Sequence, residues 1–277
     1  MIALDSSTIA EYITEEFAYD HIDAEKISTV LPPHIHNGWE FLYVKTGELS
    51  YSVDGSTYDI HPGSLIITPP GAVHALHPKG TIRYERHDLI ITENLLIRDL
   101  IGKLPADLRV LDISGNSILL NLYERFAFYI SHLPAENLEE VLRALVSELW
   151  ASIYISTQIS SPSVEPTSNS VITKAVKYIK THIREPLTVE QVSSALFITP
   201  RYLYQCFAKH MNVTPRHYIM LQKLQLVQQG LTNAENPTKL CREYGFRNYS
   251  TFYRNYQKIY GCRPSDSPQQ SLQKIEL

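Results

Sequence analysis

The 277-residue chain contains no apolar run approaching the roughly 18 residues that a membrane-spanning helix needs. Its first residues, MIALDSSTIAEYITEEF, lack the basic start and apolar block of a secretory leader. Cysteine is scarce. Cys206, Cys241 and Cys262 are the only three, and their spacing fits neither a zinc site nor a disulfide framework. An odd number of thiols on helical segments suits a reducing compartment. These absences set the expectation of a cytoplasmic protein with no membrane partner.

Positive charge is also scarce, but only in one half. Residues 1–169 hold 10 Lys/Arg against 23 Asp/Glu, a net charge of −13, whereas residues 170–277 hold 15 against 6, a net charge of +9. Such asymmetry points to a polyanion as partner of the second half, and the first half should repel it.

The basic half contains a repeat. Thr199-Pro200-Arg201-Tyr202-Leu203-Tyr204-Gln205-Cys206-Phe207-Ala208-Lys209 returns 49 positions later, with Asn248 for Thr199, Phe252 for Leu203, Tyr253 for Tyr204, Tyr256 for Phe207 and Lys258 for Lys209. Asn212 and Gly261 follow the two copies, and then Pro215 and Pro264. A unit used twice at fixed spacing is one supersecondary motif in duplicate. Thr199 and Asn248 are good helix N-caps, Pro200 suits a first helical position, and Asn212 and Gly261 suit left-handed C-caps. The spacing predicts two helix-turn-helix units, at about 188–209 and 237–258, with Thr188-x-x-Gln191 as a capping box. Leu203 with Phe207, and Phe252 with Tyr256, form the buried faces. The opposite faces carry Arg201, Tyr204, Gln205 and Lys209, then Tyr249, Ser250, Tyr253, Arg254 and Lys258. Arg and Gln can pair bidentately with guanine and adenine edges, while Lys meets phosphates. Between the units, a helix over 214–231 would span roughly 27 Å at 1.5 Å per residue, near the 34–36 Å of one DNA turn.

The acidic half reads differently. From Ile27 to Thr92, short apolar strands alternate with the turn signals Asp54-Gly55, Pro62-Gly63 and Pro69-Pro70-Gly71. Many short, evenly spaced strands predict a barrel or jelly roll. Two constellations lie on it: His34-x-His36-x3-Glu40-x6-Gly47, and Gly63-x5-Pro69-x-Gly71-x2-His74. Two helices follow, broken at Leu133-Pro134. The second has Leu138, Leu142, Leu145, Leu149 and Ile153 in one stripe, which could face a second copy or pack on the barrel. The segment 156–170, rich in Ser, Thr and Pro, reads as a linker.

At the motif level the C-terminal ~100 residues resemble the AraC/XylS family of bacterial transcription regulators. The match is carried by Tyr244-Gly245-Phe246-Arg247-Asn248-Tyr249-Ser250-Thr251-Phe252-Tyr253-Arg254 and Gly261-Cys262-Arg263-Pro264. Lys223, Val227 and Asn212 depart from the family's usual Arg, Ala and Gly, and Pro237 from its usual aliphatic residue. The resemblance implies that Arg201, Tyr204, Gln205, Tyr249, Ser250 and Arg254 face bases or nearby phosphates. The two N-terminal constellations are similar to the paired cupin motifs, which implies that His34, His36, Glu40 and His74 line a site for an effector, with a divalent metal allowed there but not required.

The expected architecture is therefore α+β in two domains. Residues 1–155 form a cupin-like barrel with a helical pair that senses an effector and dimerises. Residues 156–170 link it to an all-α double helix-turn-helix domain over 171–277. The expected function is sequence-specific binding of double-stranded promoter DNA, as an activator controlled by a small molecule, with a sugar preferred. The expected protein is not an enzyme; the alternative is a metal-dependent cupin enzyme with accessory DNA binding, for which His77 and His87 are further acid–base candidates.

Overall fold

A computed structural model describes residues 6–28, 32–95, 99, 102–159, 164–232, 235–246, 248–269 and 275–276. Twelve strands form two six-stranded sheets among the described residues. In the first, the order is β1 (Ser6–Ile13), β2 (Phe17–Ile27), β9 (Ile82–Ile91), β4 (Trp39–Thr46), β7 (Ser64–Thr68) and β10 (Val110–Asp112). In the second it is β11 (Thr167–Ser168), β6 (Ser56–Ile60), β5 (Leu49–Val53), β8 (His74–Pro78), β3 (His34–Ile35) and β12 (Ile275–Glu276). All pairings are antiparallel. The turn signals act where the sequence places them: Asp54 and Gly55 both have positive φ in the β5–β6 hairpin, as do Gly63 and Gly71 beyond it.

Strand β4 explains how the layers hold. Phe41 and Tyr43 point to one core, shared with helices α1 (Ser117–His132) and α2 (Ala135–Ile159). Leu42 and Val44 point to the other, between the two sheets, with Leu49, Tyr51, Ile60 and Ile66. A strand covered on both faces needs an unbroken apolar run, and Phe41-Leu42-Tyr43-Val44 supplies it. The leucine stripe of α2 is spent on the first core: Leu138, Leu142, Leu145, Leu149 and Ile153 are buried there with Trp150, which meets Trp39 and Phe41 edge-on. That stripe is therefore not a free face for a second copy; the exposed apolar residues of the pair are Ile118, Phe128, Ile155 and Ile159.

The helical half contains α3 (Ser170–Thr181), α4 (Val189–Ala195), α5 (Pro200–Met211), α6 (Pro215–Thr232), α7 (Pro237–Glu243) and α8 (Tyr249–Tyr260). Its core includes Leu203, Phe207, Tyr218, Leu224, Leu240, Phe252 and Tyr256, and Ile35 and Val73 of the barrel are buried in the same cluster. The stretch expected as a linker is partly regular. Helix α2 continues through Ile159, and Thr167–Ser168 pairs with Ser56 and Thr57 of β6; residues 160–163 lie outside the described residues. The exposed edge of β6 offers unpaired backbone groups, and this segment takes them up. At the far edge, Ile275 and Glu276 pair with Ile35 and His34 of β3.

His87, on β9, faces α1 rather than the space between the sheets. It is fully buried, hydrogen-bonds the Tyr19 hydroxyl through Nδ1 at 2.7 Å, and stacks on His21 at 3.8 Å between ring centres. Burial, aided by the positive potential of His21, Lys45 and Arg86, pushes its imidazole down to about 2. Unfolded, the same ring titrates near 6.5. Below that pH the unfolded chain binds a proton that the folded chain does not, so the contribution is complete above pH 6.5 and is lost as pH falls. We predict that urea unfolding between pH 5.5 and 4 shows the barrel losing about 1.4 kcal/mol more per pH unit than a His87→Gln variant.

Candidate functional site

Two sites emerge, one on the helical half and one inside the barrel. Each helix-turn-helix unit starts with a short scaffold helix. Thr188 caps α4, accepting from Gln191 N–H at 3.3 Å, while the Gln191 side chain accepts from Thr188 N–H at 2.7 Å, the reciprocal pair of a capping box. Asn236 caps α7 in the second unit. The second helix of each unit, the candidate reading helix, begins at Thr199, which accepts from Tyr202 N–H at 3.2 Å, and at Asn248, which accepts from Thr251 N–H at 2.7 Å. They end at Asn212 (φ 53°) and Gly261 (φ 68°), both left-handed.

The turns repeat with one difference. Ile198 N–H donates to Ser193 O, and Phe246 N–H donates to Cys241 O, each at 3.0 Å, with left-handed Phe197 and Gly245 just before. The scaffold helices thus correspond at a shift of 48 and the reading helices at 49. The second turn is one residue longer, and the additional residue, Arg247, lies outside the described residues. Gly245 is favoured by its positive φ, and a Cβ there would sit 3.0 Å from Lys223 Nζ, which would have to give way slightly. Phe197 holds the same left-handed conformation with its ring 96% exposed.

On the surface of α5, Arg201, Gln205 and Lys209 form one exposed row at i, i+4 and i+8; on α8, Ser250, Arg254 and Lys258 do the same. Tyr204 and Tyr249 are exposed beside them, and Tyr253 is partly buried, its ring 6.3 Å from that of Tyr249. Lys209 differs from the rest of its row. It lines a cleft that the barrel residues Asp54, His74 and His77 also line. The connector α6 spans 18 residues.

Inside the barrel, the structure brings together all four residues singled out by the cupin-like spacing. The Nδ1 atoms of His34, His36 and His74 lie 3.1, 2.8 and 2.8 Å from the carbonyl oxygens of Pro32, Gly38 and Ala72. A carbonyl only accepts, so each Nδ1 carries a proton, and the ring is turned so that Nε2 is its second polar atom. For His36 and His74, Nε2 points at Glu40 Oε2, at 3.6 and 3.3 Å. One donor atom each from His34, Glu40 and His74 falls within 4.8 Å of the others. Burial by itself would raise the Glu40 carboxyl, but His74 and His36 beside it outweigh burial and hold it well below the usual carboxylate range. Tyr51 and Thr68 hydroxyls meet at 2.7 Å, and Thr68 donates onward to Glu40 at 2.9 Å, which fixes the carboxylate's orientation.

Tyr51, Thr68, Arg86 and Asp88 escaped the sequence reading. Arg86 pairs with Asp20 and Asp88, each at 2.8 Å, and Arg86 and Asp88 line the cavity with His34, Glu40 and His74. The signal was present: two opposite charges two apart on a strand must share a face. The cavity offers about 20 Å³ to a water-sized sphere, room for about one water molecule. His77 bonds Ser52 at 3.0 Å and His87 faces α1, so neither acid–base candidate points into this cavity.

A helix-turn-helix domain profile matches residues 192–269 and a cupin domain profile matches residues 26–84. The Escherichia coli HTH-type transcriptional regulator YdiP is 24% identical over 257 residues, covering 84% of this chain and 79% of its own length. The chain belongs to the AraC/XylS family of transcriptional regulators. A XylDLEGF operon transcriptional activator of Pseudomonas putida is 28% identical over 140 residues, covering 47% of this chain and 44% of that activator. Among solved structures, ToxT of Vibrio cholerae overlays with a TM-score of 0.40 at 13% identity, over 94% of this chain and 99% of that one. Among the described residues, no helix of this family member is long and apolar enough to cross a membrane.

The caps generate a direct test. Replacing Asn248 with Ala should cost about 1 kcal/mol of local helix stability. Amide hydrogen exchange in the first turn of α8 should accelerate severalfold, while α5 stays unchanged.

Proposed function

We propose that this transcription regulator binds promoter DNA sequence-selectively through both reading helices, and that its barrel holds a small ligand that controls binding. The observation that supports the DNA reading best is the pair of matching exposed rows, Arg201-Gln205-Lys209 and Ser250-Arg254-Lys258, on capped helices joined by an 18-residue connector. In this reading Arg201, Gln205 and Arg254 face base edges. Tyr204, Tyr249, Ser250 and Tyr253 flank them, and Lys209 and Lys258 meet phosphates. Activation is the direction we assign, supported by the Pseudomonas putida relative being a transcriptional activator.

For the barrel ligand, the geometry favours a divalent cation. Nδ1 protons anchored on backbone carbonyls, with Nε2 atoms gathered about one carboxylate, are the arrangement of a His/Glu metal site, in which the ion takes the place of any Nε2 proton. His34, His36, Glu40 and His74 would hold the ion, which would supply positive charge between β3, β4 and β8. A sugar, the effector preferred from sequence alone, has Arg86 and Asp88 as further polar partners but requires the barrel to widen. Metal-dependent catalysis remains the alternative, and the absence of His77 and His87 from the cavity weighs against it. A homodimer built on the barrel half would use Ile118, Phe128, Ile155 and Ile159.

The decisive experiment selects DNA fragments from a random-sequence pool and measures affinity at two salt concentrations. Arg201→Ala or Arg254→Ala should cost about 1–3 kcal/mol on the selected site only, whereas Lys258→Ala should weaken all sequences alike and reduce the salt slope by about 1. Equal losses on every sequence from the arginine changes would remove their base-reading role. Zn²⁺ and Mn²⁺ titrations should give one ion per chain, abolished in a His34→Ala/His74→Ala variant; binding retained there would place the ion elsewhere.

A further inference from the structure

The joint between the two halves is built around one carboxylate. Asp54 sits at the tip of the β5–β6 hairpin with φ 46°. Its Oδ1 accepts from the Tyr218 hydroxyl at 3.0 Å and from Val73 N–H at 3.2 Å, while Oδ2 accepts from Lys180 Nζ at 2.5 Å. Tyr218 is a fully buried residue of the connector α6, and Lys180 lies in the last turn of α3. The Asp54 side chain is only 12% exposed, so its interactions are screened less than those of a surface pair.

The contact around it is close-packed. A Cβ added to Gly55 would lie 1.9 Å from Ile172 Cγ2 of α3, and one added to Gly71 would lie 2.5 Å from Gln225 Cδ of α6. Gln222 of α6 donates to Gly71 O at 2.7 Å. The barrel thus rests on the helix that sets the spacing of the two reading helices, and on the helix that opens the DNA-binding half. Charge makes this position consequential. The half carrying the barrel has a net charge of −13, and Lys209 and His210, at the end of the first reading helix, share a cleft with Asp54 and His77. An acidic body held there repels the phosphates that the basic half attracts.

We propose that Asp54 is the latch of an autoinhibitory joint. Closed on Lys180 and Tyr218, it holds the acidic barrel against the connector and keeps DNA affinity low. Opened, it lets the halves separate and affinity rise. The proposal rests on the DNA-binding reading above and concerns its control.

The test compares wild-type protein with Asp54→Asn, Lys180→Gln, their double variant and Tyr218→Phe, all in the full chain. Asn tolerates the left-handed turn, so the hairpin is kept. Two quantities are read: amide hydrogen exchange across residues 170–181 and 215–232, and affinity for a DNA fragment selected by the wild-type protein. Asp54→Asn and Lys180→Gln should each accelerate exchange in both helices and tighten DNA binding about tenfold, within the usual range of coupling between sites. The double variant should add little to either single change, because both open the same contact. Tyr218→Phe should act in the same direction but less. Selective wild-type binding that Asp54→Asn leaves unchanged or weakens overturns the latch alone. Failure of the wild-type protein and every variant to select any DNA overturns the DNA-binding reading, and the autoinhibition with it.

Discussion

A β-strand offers its side chains to two sides only, in strict alternation, and this constraint ties the barrel to the helices. On β3, His34 faces the polar cavity while Ile35 is buried in the core of the DNA-binding half. At the start of β8, His74 faces the cavity while Val73 is buried in that same helical core. The two strands pair at His34 and His74. A ligand gripped by the inward residues therefore cannot shift them without shifting their outward neighbours. No separate relay needs to be invoked, since one covalent backbone carries both faces. A ligand still acts only in so far as it binds one arrangement of the halves better than the other.

The helical half solves the same local problem twice with different residues. Left-handed turns are made by Gly245 in one unit and Phe197 in the other, and left-handed helix ends by Gly261 in one and Asn212 in the other. Glycine suits 245, where φ is positive and a Cβ would press on the Lys223 ammonium. At 197 the side chain projects into solvent, so sterics with neighbours do not demand glycine, and the aromatic ring bears only the backbone cost, of order 1 kcal/mol or more. The extra residue of the second turn leaves caps and buried faces in register, because a turn can lengthen without disturbing the helices on either side.

Elements with local signals were legible in the sequence. Strand β7 lies between the Pro62-Gly63 and Pro69-Pro70-Gly71 turns, α1 and α2 break at Leu133-Pro134, and the caps Thr188, Thr199 and Asn248 act as their side-chain chemistry requires. The four cupin-like residues converge because the turn glycines and strand parity that place them are local properties. What could not be read was non-local. The leucine stripe of α2 looks the same whether it meets a barrel or a second chain. The pairing of Thr167–Ser168 and Ile275–Glu276 with the barrel depends on which sheet edges the fold leaves open. The partners of the Asp54 carboxylate, Lys180 and Tyr218, stand more than 100 residues away.

That both edges of one sheet are closed by segments flanking the DNA-binding half has a further consequence. The half is pinned at its entrance by β11 and again by β12, so that when the joint opens its groups stay within reach of one another. Pinning of this kind raises their effective concentration, to the millimolar range for short flexible connections. Contacts too weak to hold two free domains together are then sufficient, and the same weakness leaves them easy to reverse.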